Sequence, residues 1–185
     1  MDLLSELNRN LDYSERLKDE LTIGLFGSFR RSHLEALKRH LREHEGFNTR
    51  VSYDLAASHP RRRGKDDGAY DFRLARALIE ESRVYIVHFF REEEGEYGVN
   101  DSATLEIGIL YGLNVASPQA SRYTLILCEA GYDARNIGGM RRGIRPSTEK
   151  EWRWHDFEDR DEAILNATQF CYDCLLDYSR SPRVI

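Results

Sequence analysis

Apolar residues recur along this chain with two alternating periods, and together they describe a succession of strands and helices. Leu3, Leu4, Leu7, Leu11 and Leu17 fall at helical spacing, so residues 2–19 are expected to form an amphipathic helix. Short, nearly unbroken apolar runs follow at 21–26, 83–90 and 123–128, and their length and β-branched or aromatic content read as buried strands. Residues 48–55 alternate as a second strand in chain order, and 152–157 are expected to be an edge strand. Helical patterns lie between them. Residues 32–44 put Leu34, Leu37 and Leu41 on one face before Gly46 stops the helix, and further helices are expected over 71–82, 101–113 and 159–178, with a short one around 134–141.

Strand–helix alternation of this kind implies parallel strands joined by right-handed crossovers, with helices on both faces of the sheet. The expected fold is therefore α/β, a three-layer sandwich around a central, mainly parallel sheet of four to five strands. One domain over 21–185 is preceded by a helical extension, 1–20, positioned to cover the sheet or pair with a second copy. No internal repeat or low-complexity tract interrupts it. Two loops stand out: the polar stretch 56–69 with Pro60, Gly64 and Gly68, and the acidic stretch 92–99. Long ordered loops in compact domains tend to be functional.

Composition narrows the class without changing the fold. The 185 residues are 41% hydrophobic and 32% charged, ordinary for a globular domain with a full core. No apolar run approaches the roughly 20 residues of a membrane span, and the first residues lack a secretion signal, so a cytoplasmic protein is expected. A net charge of −5 gives no general attraction to nucleic acid, although Arg61, Arg62, Arg63 and Lys65 form a local basic cluster suited to a phosphate. Three cysteines are too few for a disulfide framework. The pair Cys171 and Cys174 has the spacing of half a zinc site but no second pair, and His33, His40 and His44 sit on one solvated helical pattern, so no metal is expected.

The candidate chemistry gathers at the ends of the strands. After the first strand, Phe26-Gly27-Ser28-Phe29-Arg30 offers a glycine turn at the mouth of a helix, where backbone N–H groups approach a phosphate or ribose. No G-x-G-x-x-G or P-loop lysine signature is present, which disfavours dinucleotide hydride transfer and P-loop phosphoryl transfer. Asp71 is expected to open the helix before the third strand, in reach of a ligand hydroxyl or base. Asn100, Asp101 or Ser102 caps the next helix. Glu106 then sits among Leu105, Ile107, Ile109 and Leu110, a carboxylate in an apolar helix near the carboxyl edge of the sheet, where open α/β sheets bind ligands.

The stretch Asn100-Asp101-Ser102-Ala103-Thr104-Leu105-Glu106-Ile107-Gly108, with Phe26-Gly27-Ser28 and Asp71, resembles the nucleoside 2-deoxyribosyltransferase-like superfamily over roughly residues 21–128. That resemblance implies a flavodoxin-like sheet and a glutamate nucleophile, here Glu106, attacking the anomeric carbon. It implies that Asp101 or Asn100 helps to place the substrate. Ser102 and Ala103 stand where glycine is common in the family. The carboxylate-bearing helix is also similar to that of TIR-type NAD-cleaving domains. The implied activity is cleavage or transfer of an N-glycosidic bond in a nucleoside or nucleotide, without a cofactor, and the second acid that protonates the leaving base is expected to be Asp71, Asp101 or His88. The alternatives are NAD glycohydrolysis, a nucleotide-sensing module without turnover, and a pure interaction protein. The implied partner is a small nucleoside-like molecule, and the superfamily's habit of completing sites across a homo-oligomer interface extends to the tail 177–185.

Overall fold

The computed structural model describes residues 3–27, 31–61, 67–90, 101–116, 123–132 and 152–180. Its elements are α1 (Leu3–Glu20), β1 (Ile23–Gly27), α2 (Arg31–Arg39), β2 (Thr49–Val51), α3 (Asp67–Glu81), β3 (Val84–Phe89), α4 (Asp101–Ala116), β4 (Tyr123–Glu129), β5 (Trp152–Phe157) and α5 (Arg160–Arg180). The five strands form one sheet in the order β2-β1-β3-β4-β5, every pair parallel. The expected α/β sandwich with an N-terminal helix is therefore the observed one, with β5 at the edge.

The strands read as continuous apolar runs because both faces are covered. Along β3, Val84 and Ile86 join the layer of Leu34, Leu37, Ala167 and Phe170 from α2 and α5, while Tyr85, Val87 and Phe89 join Leu74, Leu78, Ala103 and Ile107 from α3 and α4. The alternation is the two-residue period of a strand divided between two cores. Each such side chain, removed from water, contributes on the order of 1.5–3 kcal/mol before the cost of ordering it. The buried Tyr85 hydroxyl, with one proton to give, lies between the carbonyls of Ser82 (2.6 Å) and Ile79 (2.9 Å), which satisfies the phenol and ties β3 to the end of α3. Leu17, at the C-terminal end of α1, belongs to the same core as α2 and α5, whereas Leu11 is exposed.

Three local differences from the sequence pattern stand out. The second strand spans three residues, because the Asp54 carboxylate accepts the Val51 N–H at 2.9 Å and turns residues Ser52–Ala56 into a 3-10 helix. The helix after β1 changes at His40–His44 to a π-helical turn, with the Glu45 N–H donating to the His40 carbonyl, before Gly46 at φ +77° ends it. Helix α3 begins at Asp67, so Asp71 lies one turn inside it and does not open it. The short helix expected around 134–141 lies outside the described residues, as do the acidic loop 92–99, residues 62–65 of the basic cluster, and residues 181–185 of the tail. At the last helix, the Glu162 N–H donates to Asp159 and the Glu158 N–H to the Glu162 carboxylate, a reciprocal cap at its start.

Candidate active site

Strand order 2-1-3-4-5 reverses direction of growth between β1 and β3, and the crevice at the carboxyl ends of those strands is where such sheets receive ligands. A cavity of about 440 Å3 lies at that end of β1. Its floor is Leu25, Phe26 and Gly27 from β1 with Val51 from β2; Ser52 and Tyr53 of the 3-10 turn form one side. Asp71, Phe72, Ala75 and Ile79 come from α3, and Leu105, Glu106 and Ile109 from α4, with Asp71, Ala75 and Ile79, and Leu105 and Ile109, at the i, i+4 spacing that brings helical side chains together. The size falls in the range of small-molecule sites, and the lining is mainly apolar with a few convergent polar groups.

Gly27 is fixed by its surroundings. Its φ is +127°, and a Cβ there would meet the His88 carbonyl oxygen at 2.5 Å, so any side chain would strain the backbone and push β1 away from β3. Glu106 stands on the second turn of α4, and one of its carboxylate oxygens, Oε2, is shut off from solvent. A carboxylate in apolar surroundings acts on a nearby positive charge far more strongly than it would in water. Asp71 also lines the cavity but is solvent-exposed, on the rim.

Among the residues expected at the site, Phe26, Gly27, Asp71 and Glu106 meet at this one cavity. Ser28, Phe29, Arg30 and Asn100 lie outside the described residues, and so do the side chains of Asp101 and Ser102, whose backbone forms the first turn of α4. Arg73, a potential ion-pair partner for Glu106, instead donates to the Pro60 carbonyl at 3.1 Å and stacks over Tyr70. Arg76, which also lines the cavity, pairs with Glu80 at 2.8 Å. The walls contributed by Ser52, Tyr53 and Phe72 were not legible in the sequence. Residues 48–55 read as a strand, and the signal that breaks the strand at Ser52 is the short-range bond from Asp54.

Three other groups of residues separate from the site. His88 is buried, on the sheet face opposite α3 and α4, and packs on Phe90 with ring centroids 5.4 Å apart; burial first, and His33 second, lower its pKa to about 3. It is neutral near pH 7 and does not line the cavity, so it is not the proton donor to a leaving group. His33 is not on a solvated face: its ring stacks on the same Phe90 at 4.4 Å, away from His40 and His44, which neighbour each other at 5.4 Å. Cys171 and Cys174 are buried in the α5 layer of the core, and desolvation pushes both thiols up, which makes them inert packing groups. Among the described residues no cluster of three or more histidine, cysteine or acidic side chains is placed to hold a metal, and no described helix is long and apolar enough to cross a membrane.

The chain matches no protein-family model and no curated protein.

Proposed function

We propose that this protein breaks or transfers the N-glycosidic bond of a nucleoside or nucleotide, with Glu106 as the nucleophile. The observation that carries the reading is the convergence of Glu106, Asp71 and the side-chain-free turn at Gly27 on one cavity at the switch point of the sheet. The resemblance of residues 100–108 to the nucleoside 2-deoxyribosyltransferase-like superfamily supports the role of Glu106.

The chemistry follows from the bond. The anomeric carbon gains positive charge as the base departs, and a carboxylate in a water-poor wall stabilises that charge and then captures the carbon. A glutamate oxygen of Glu106 forms an ester bond to C1′, the C1′–N bond breaks, and the bonding electron pair leaves with the base, which takes up a proton from solvent water. Attack at C1′ by water or by a second base then breaks the ester and restores the carboxylate. Asp71 at the rim binds a sugar hydroxyl or the base edge. Asp101 or Asn100, in the position of the family's substrate-placing acid, assists.

The test is base release from a panel of deoxynucleosides, nucleotides and NAD by wild type and Glu106→Gln, with the Glu106 peptide examined by mass spectrometry for a sugar adduct. Loss of turnover by about 10³-fold or more in the variant is expected if the nucleophile is removed. Equal release from both proteins refutes the mechanism. Ligand binding by both with no release from either makes the site a sensing pocket instead.

A further inference from the structure

Tyr53 is held in place by more interactions than a rim residue needs. Its hydroxyl donates to the Glu35 carboxylate of α2, and Lys38, one turn along that helix, places its Nζ 5.5 Å from the Tyr53 ring centroid. Lys38 is itself tied: its Nζ bonds Asp54 at 2.7 Å and lies 3.7 Å from Glu35. Asp54 in turn anchors the 3-10 turn by accepting the Val51 N–H. The Lys38 side chain is only 13% exposed, although its partners Glu35 and Asp54 are 39% and 26% exposed, so the strap is anchored through a shielded ammonium with its carboxylates at the surface. The result is a strap from α2 to the turn after β2 that fixes the orientation of one aromatic ring, and that ring lines the cavity that holds Glu106.

Tyr53 packs against the core layer of α2 and also lines the cavity, and the strap gives that cavity a pre-oriented aromatic surface. Stacking a planar heteroaromatic ring on an aromatic side chain tolerates different bases, because each has a π-face, and a rigid platform loses little rotamer entropy when the ligand arrives. Resting on the reading of Glu106 given above, we infer that Tyr53 is the base platform of this site, with Glu35 and Lys38 as positioning residues that act through it. The ligand class is then a glycoside whose leaving group is a planar heteroaromatic base. The base lies on Tyr53 and the sugar reaches Glu106. Sugars without such a base lack half of the recognition.

Free adenine and free 2-deoxyribose separate the two halves, with binding followed by calorimetry and deoxyadenosine turnover followed in parallel. Tyr53→Leu is expected to weaken adenine binding by roughly 5- to 100-fold, the range for losing one stacked base, and to leave 2-deoxyribose binding unchanged. Because stacking serves ground state and transition state alike, KM for deoxyadenosine rises and kcat stays within about two-fold. Tyr53→Phe, which keeps the ring but loses the bond to Glu35, and Lys38→Met, which loses the other tie, each give a loss smaller than that of Tyr53→Leu. Thermal melts of each variant check that the fold is kept. Adenine binding equal in wild type and Tyr53→Leu overturns the platform, as does failure of the wild type to bind adenine or deoxyadenosine. Failure of the Glu106 mechanism is read separately, from base release by Glu106→Gln.

Discussion

Replacing His88 with leucine should remove a specific acid sensitivity from the fold. His88 is 2% exposed on β3, its Nδ1 has no hydrogen-bond partner among the described residues, and its pKa is lowered to about 3 by burial and by His33. The unfolded chain binds a proton there near 6.5, the native protein only near 3, so between those values the unfolded state holds one more proton. Stability from this group is complete above about pH 6.5 and falls by roughly 1.4 kcal/mol for each pH unit below it. From about pH 7.5 to about pH 4.5 that amounts to roughly 2.5 kcal/mol. Urea unfolding of wild type and His88→Leu at several pH values measures it. Carboxylates elsewhere titrate in both proteins, so the difference between the two curves isolates His88. Near neutrality the two are expected within about 1 kcal/mol, because the leucine gives up ring stacking on Phe90 but also removes a buried nitrogen without a partner. If the wild-type and variant stabilities stay parallel from neutral pH to about pH 4.5, the neutral, buried state assigned to His88 is wrong.

Two substitutions at glycines should act in opposite directions. Gly27→Ala is expected to cost at least about 2 kcal/mol in denaturant unfolding, since the Cβ meets a carbonyl at 2.5 Å and the φ of +127° is unfavourable to any side chain; a loss under about 0.5 kcal/mol would show that the turn relaxes freely. Gly108→Ala is expected to stabilise by about 0.5–1 kcal/mol, because a Cβ there has no neighbour within 4 Å and alanine is the better helix former. A destabilised Gly108→Ala protein, measured in the same way, would mean that another backbone packs closely on that side of α4.

The order of strands and helices was legible because each element buries one face, and burial leaves a period in the sequence. The runs at β1, β3 and β4 are mostly apolar and almost wholly buried, the mark of strands covered on both sides, and α2 and α4 show their inward residues at helical spacing. Boundaries governed by a single short-range bond were not legible. Asp54 cuts β2 to three residues by capturing the Val51 N–H, and a residue-type pattern carries no record of which backbone group a carboxylate will choose. Likewise the start of α3 at Asp67 lay within a stretch that read as polar loop.

The chain's own pattern determined that Glu106 is an acid in an apolar helix near the carboxyl edge of the sheet, and that Gly27 follows the first strand. Local periodicity reaches that far because both properties depend on neighbours in sequence. Tertiary structure alone decided that Phe26, Gly27, Asp71 and Glu106 share one cavity, that His88 faces the opposite layer, and that Tyr53 is clamped beside the site by a helix 15 residues or more earlier. These depend on the strand order β2-β1-β3, which brings segments far apart in sequence to one edge. That order is fixed by how whole faces pack on one another, a long-range free energy that no short window of residues contains.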